Sequence, residues 1–157
     1  VDHAEEGQIR RLLEDGTLAV CVGGGGVPVR TDAKGRHIGV QAVVDKDLAS
    51  AALAADIQAD TLIMLTDGDY VSEDWGTPEQ RDIHTASADA VAGMAFAEGS
   101  MQPKIDAAIR VARAGGRALI GPLDRLDDLL ARRVGTEIVP ELAEGVIWVD
   151  QAPAKKR

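Results

Sequence analysis

Three charged residues in a row, Asp45, Lys46 and Asp47, stand where an alanine-rich run begins. The run "DLASAALAADIQA" reads as a helix, so the triplet falls at its start. A helix start carries unpaired N–H groups and the positive end of the backbone dipole, which favour an anion and oppose a cation. Asp45 suits the capping position. Lys46 is out of place unless it and the helix end together face a phosphate, with Asp47 holding the lysine. The plainer reading is a solvated lysine behind a capping Asp45. Lys104 repeats the pattern. In "SMQPKIDAAIRVARAGG" it enters another helix behind Gly99, Ser100 and Pro103, and Pro103 suits the first helical position. As an exposed lysine it would add little to folding. Two lysines at two helix starts would clamp a transferring phosphoryl group, a reaction whose catalysis is mostly positioning and charge neutralisation.

Four consecutive glycines, Gly23, Gly24, Gly25 and Gly26, precede this triplet. They do not make a Walker loop, because no Lys–Ser/Thr pair follows. They do not make a dinucleotide fingerprint either: counting from Gly23 or Gly24, the last position of the motif falls on Pro28 or Val29. Pro28 and the valines after the run favour an extended chain over a helix. What remains is a flexible turn or a loop whose bare backbone approaches an anion and donates N–H groups to it. The other reactive residue types offer less. His3, His37 and His84 have no metal-ligand spacing and read as surface residues. Cys21, the one cysteine, lies in an apolar run and reads as a buried strand residue. Trp75 and Trp148 suit a core or a stacking role.

The elements that must position these residues alternate. "EEGQIRRLLEDG" reads as a helix and "TLAVCV" as a buried strand. "VPVRTDAKGRHIGVQAVV" reads as a ribbon turning at Lys34–Gly35. After the alanine-rich helix comes "TLIMLT", a second buried strand. The long polar stretch "DGDYVSEDWGTPEQRDIH" exceeds a mere connector and reads as functional. "SADAVAGMA" is a short helix, then comes the helix bearing Lys104, which ends at Gly115 and Gly116. "RALIG" is a strand, "LDRLDDLLARR" a helix and "GTEIVP" an extended segment. Apolar strands alternating with helices indicate an α/β fold with a parallel sheet covered on both faces. Ligands of such sheets bind at the carboxyl ends of the strands, where the glycine run, "TDGD" and "GPLD" all fall.

Composition limits the function classes. With 157 residues and 45% apolar content the chain is long enough for one domain with a real core. Aromatics make up only 3%, so that core is built from Ala, Val, Leu and Ile. A net charge of −9 argues against a nucleic-acid binder, which needs a basic face. No apolar stretch reaches the length of a membrane span, and the first residues have no signal-peptide core. The single cysteine fits a reducing compartment such as the cytoplasm. The chain starts without Met, as a piece of something longer would.

Taken together, "GGGGVPV", "GVQAVVDKDLASAALA", "LIMLTDGDYV", "WGTPEQ", "FAEGSMQPKIDAAI" and "GGRALIGPLDRL" resemble, in order and spacing, the carbamate kinases of the amino acid kinase superfamily. The resemblance covers about residues 4 to 138 and corresponds to the carboxyl-terminal, nucleotide-binding half; residues 1–138 are expected to form that lobe and 139–157 a tail. It implies a three-layer αβα sandwich with a mostly parallel sheet, ATP or ADP with Mg2+, and phosphoryl transfer between carbamoyl phosphate and ADP. Lys46 and Lys104 would neutralise the transferring phosphoryl and Asp47 would organise them. Gly23 to Gly26 would lie near the active centre. Thr66, Asp67 and Asp69 would surround the nucleotide, with Ser100 and Met101 ahead of Lys104. The family's other half supplies most of the carbamate site. A homodimer or a complementing amino-terminal half is therefore the expected partner. The alternatives are a non-catalytic nucleotide-binding module, a split subunit, or an amino acid kinase with another acceptor.

Overall fold

The computed structural model of the chain describes residues 5–96 and 101–151. Helix α1 (Glu6–Glu14) forms as expected but buries none of its residues, and Arg10 ties it to the body by donating to the Asp56 carbonyl. Strands β1 (Val29–Thr31) and β2 (His37–Gly39) make an antiparallel ribbon separate from the main sheet. Its turn is built by Asp32, whose carboxylate accepts from the Lys34 and Arg36 N–H groups at 2.8 and 2.9 Å. Then follow α2 (Lys46–Asp56), β3 (Thr61–Thr66), β4 (Val71–Glu73), β5 (Arg81–Ser87), α3 (Ala88–Ala92) and α4 (Met101–Arg113). The chain continues through β6 (Arg117–Pro122), a 3-10 turn, α5 (Leu126–Leu130), β7 (Thr136–Val139) and β8 (Val146–Trp148).

Six strands form one sheet in the order β3-β6-β7-β5-β4, with β8 also paired to β5. Strands β3 and β6 run parallel, as do β5 and β7, while β6–β7, β4–β5 and β5–β8 are antiparallel. Side chains alternate across the sheet. Ala118 and Ile120 of β6 join the large core with α2, α3 and α4, whereas Leu119 between them packs with Leu129 of α5 and Val134. Helices thus cover both faces and the architecture is an αβα sandwich. Glu137 of β7 is buried with its carboxylate between Arg117, at 3.1 Å, and Arg132. No helix among the described residues is long and apolar enough to cross a membrane.

Several expectations are corrected here. "TLAVCV" is not a buried strand: residues 17–22 are irregular, Leu18 and Val20 are 90% and 94% exposed, and Cys21 is half-buried. An apolar, β-branched run becomes a strand only against a hydrogen-bonded neighbour, and none is beside it among the described residues. Among the described residues, strand β3 is an edge strand with only β6 beside it, so Ile63 and Leu65 are partly exposed. The long polar stretch, read as more than a connector, runs from the turn after β3 into the β4–β5 hairpin, with Trp75 exposed at the hairpin turn. His84, in β5, is half-buried with Nδ1 2.9 Å from the Thr85 hydroxyl rather than on the surface. His37 is exposed on the ribbon, and His3 lies outside the described residues. Beyond residue 138, β8 joins the sheet and Trp148 lies under the Arg81 guanidinium, 3.7 Å from the ring centre.

Candidate functional site

Helices α2 and α4 lie side by side through small residues, with Ala51, Ala54, Ala107 and Ala108 in one buried cluster. Alanine lets helix axes approach closely. The first turns of both helices meet, and there Lys104 Nζ donates to Asp47 Oδ2 at 2.7 Å. Lys104 is buried, with 9% of its surface exposed. Two expectations change. Lys104 is not the exposed lysine of an ordinary helix start, and Asp47 holds Lys104 rather than Lys46. A buried cation at a helix start is opposed both by desolvation and by the dipole, and the Asp47 carboxylate offsets both. An ammonium has three donors. Asp47 takes one, which leaves two for an arriving anion.

Lys46 is exposed and makes no hydrogen bond or ion pair among the described residues. Asp45 caps α2 as expected: its Oδ1 accepts from the N–H groups of Asp47 at 2.8 Å and Leu48 at 3.1 Å. That occupies two of the four N–H groups that would have drawn a phosphate to the helix end itself. The attraction for an anion at this corner therefore resides in the two lysine side chains more than in the helix terminus.

The glycine run reaches the same corner through Gly25. A Cβ there would stand 2.1 Å from the Val44 carbonyl oxygen, and its φ of +133° is one that side chains rarely adopt. Only glycine lets the loop sit against the residue that leads into Asp45. At Gly23, Gly24 and Gly26 the space a side chain would fill is open. Gly25 and Gly26 border a groove of about 980 Å³ that also touches Val44, Leu18 and Ile9.

The carboxyl ends of β3 and β6 form the adjoining edge, because Thr66 stands opposite Pro122 in their parallel register. Thr66 is half-buried, and Asp67 and Asp69 are exposed. Asp69 is paired at 3.6 Å with Arg125, from the 3-10 turn that follows β6. Arg125 also meets Asp128 at 3.2 Å, and Arg133 meets it at 2.8 Å. The Arg133 guanidinium first, then that of Arg125, holds the Asp128 carboxyl below its ordinary range. Tyr70 packs on the Leu119, Leu129 and Val134 cluster, and burial pushes its phenol above its ordinary value. Sequence reasoning missed Arg125 and Tyr70; the "GPLD" motif ends one residue short of that arginine. Met101 opens α4 and is partly buried against the main core, while Ser100 lies outside the described residues. Among the described residues no three His, Cys, Asp or Glu side chains gather as a metal cage.

The model of the amino acid kinase family matches residues 1–121. The carbamate kinase of Escherichia coli O6:H1 is 49% identical over 129 residues, which cover 82% of this chain and 42% of that protein. The carbamate kinase of Haemophilus influenzae is 42% identical over 141 residues, covering 89% of this chain and 45% of the relative. Among solved structures, carbamate kinase from Giardia lamblia bound to AMP-PNP superposes with a TM-score of 0.84 at 33% identity, over 90% of this chain and 51% of that one. The chain spans less than half the length of the curated relatives it matches.

Proposed function

The chain belongs to the amino acid kinase family, and from that premise we propose that it is the nucleotide-binding lobe of a carbamate kinase-like phosphotransferase. The reaction is carbamoyl phosphate + ADP giving carbamate + ATP, and its reverse. One observation carries the reading: a buried lysine at a helix start, neutralised by a carboxylate at the start of the neighbouring helix. Such a lysine keeps donors for phosphoryl oxygens, and Asp47 fixes where its ammonium points. Lys46, free of partners among the described residues, can swing toward the same phosphate. Thr66, Asp67 and Asp69 would border the nucleotide, and the Gly23–Gly26 loop would approach its phosphates. Mg2+ would ride on those phosphates and neutralise their charge; it keeps most of its waters and needs no protein cage.

Phosphoryl transfer needs both reactants held in line in a site closed to water. Turnover is therefore proposed for the chain together with a complement, either a second copy or an amino-terminal half of the family type. The open edge of β3 and the exposed Leu18 and Val20 support such a partner, since they leave strand edge and apolar surface uncovered. A cytoplasmic site of action fits this chemistry. The test is calorimetric titration with MgADP, followed by a coupled ATP-formation assay with and without an amino-terminal half of a carbamate kinase. Binding by the chain, and turnover only on complementation, is the expected result. Lys104→Met should weaken binding by on the order of 1.5–3 kcal/mol. A well-folded chain with no heat of binding refutes the nucleotide reading. Binding without turnover in any combination favours a non-catalytic nucleotide module.

A further inference from the structure

Thr136 is completely buried, yet it is a hydroxyl in an apolar core. Its Oγ1 accepts from the Val71 N–H at 2.8 Å and donates to the Ile83 carbonyl at 2.5 Å. Val71 and Ile83 are register partners in the β4–β5 ladder, so a side chain of a third strand stands between an N–H and a carbonyl of opposed residues. It does so where β5 changes neighbours: β4 pairs with residues 81–83 and β7 with residues 85–87. Val71 is also the first residue of β4, directly after the Thr66–Tyr70 loop.

We propose that Thr136 is a positioning residue for the nucleotide-facing loop, its hydroxyl tethering the end of that loop to the central sheet. The proposal rests on the nucleotide reading of Thr66, Asp67 and Asp69 given above. The loop's ion pair, Asp69–Arg125, is solvent-exposed, and exposed pairs hold a chain weakly. Tyr70 supplies apolar contact without fixing backbone direction. The Thr136 bond is deep, bidirectional and made to the backbone itself. Its approach is fixed by Gly135, where φ is +89° and a Cβ would lie 2.9 Å from the Ile120 carbonyl oxygen and 2.1 Å from Leu129 Cδ1. Valine matches threonine in shape but leaves the Val71 N–H and the Ile83 carbonyl without the hydroxyl.

The test compares Thr136→Val, Thr136→Ser and a core variant away from the loop, Val91→Ala, by MgADP titration and residue-resolved amide exchange. Thr136→Val should stay folded, lose protection at Tyr70 and Val71, and bind MgADP on the order of tenfold more weakly. Thr136→Ser should restore both. Val91→Ala, at comparable or lower stability, should bind MgADP like the unaltered chain, which separates positioning from general loosening. Wild-type affinity in Thr136→Val, or failure of serine to restore it, overturns the proposal. An unaltered chain that binds no MgADP fails at the earlier step and overturns the nucleotide reading, and with it the purpose assigned to the tether. If Thr136→Val does not fold, exchange in the unaltered protein decides. A Val71 amide as fast as those of the exposed β1–β2 ribbon overturns the tether, and one as slow as the amides of β5 upholds it.

Discussion

The Asp47–Lys104 pair makes an asymmetric prediction about stability. At the 2.7 Å separation found here, the attraction at an effective dielectric near 20 is about 6 kcal/mol before desolvation is counted. Desolvation of both groups cancels much of it, and removing one partner of a buried pair typically costs about 3–5 kcal/mol. Which partner is removed matters. Asp47→Asn leaves a buried ammonium at the start of α4, opposed by the helix dipole, with only an amide oxygen beside it. The expected loss is about 3 kcal/mol. Lys104→Met leaves a carboxylate in the first turn of α2, where the dipole favours it by about 0.3–1 kcal/mol, and methionine refills the stem's space. The expected loss is about 1 kcal/mol. The double variant should fall near Lys104→Met, because no orphaned charge remains. Urea unfolding monitored by circular dichroism measures all three; at a slope of about 2 kcal/mol per molar, the asparagine variant should shift its midpoint by roughly 1.5 M. The reasoning is refuted if Lys104→Met costs as much as Asp47→Asn, or if both lie within about 0.5 kcal/mol of the unaltered chain.

Two further outcomes follow from single residues. Tyr70 is the only tyrosine, so a phenolate absorbance titration reads it alone, and its midpoint should lie above the ordinary 10.0. Burial of the phenol raises the folded value above the unfolded one. The folded state therefore binds more protons in that window, and stability should fall as pH rises from about 10 through the folded midpoint, in unfolding curves taken at stepped alkaline pH. Gly25→Ala should disrupt the loop by driving a methyl into the Val44 carbonyl, whereas Gly26→Ala, with open space but a φ of +87°, should cost only about 1 kcal/mol. Thermal unfolding of both variants distinguishes the two.

Much of the helical layer was legible because its signals are local. Asp45 caps, the alanine run buries one face, and Gly115 and Gly116 close α4, so α2 and α4 lie where pattern reading puts them. Strand β5 was not legible. "RDIHTAS" mixes charge, histidine and hydroxyls, and it is a strand because β4, β7 and β8 pair with it, not because of its own residues. The converse holds for "TLAVCV", whose composition favours a strand that has no described neighbour. The lysine corner was half legible. A cation at a helix start signals an anion nearby, but nothing local to Lys104 shows that its partner stands 57 positions earlier. That follows only once two alanine-faced helices are packed together. Arg125 and Thr136 were missed for the same reason: each acts on a segment far from it in sequence.

Strand β7 has a consequence for how the chain is made. Among the described residues, the hydrogen-bonded pairs β3–β6 and β5–β4 are joined within the sheet through β7, residues Thr136–Val139. During synthesis from the amino terminus, β5 leaves the ribosome roughly fifty residues before β7 does, which at cellular elongation rates is roughly 3–10 s. Through that interval β5 lacks its β7 neighbour, and once β6 has emerged to pair with β3 the nascent chain carries two unjoined strand edges and the apolar faces meant to seal them. The two parts of the sheet are joined late, when the four-residue β7 bridges β6 and β5, and β8 adds to β5 only after that. Holdase chaperones and slow codons would have their greatest effect on the yield of this chain within that window, and a ribosome paused between β6 and β7 would present the most aggregation-prone species on its route.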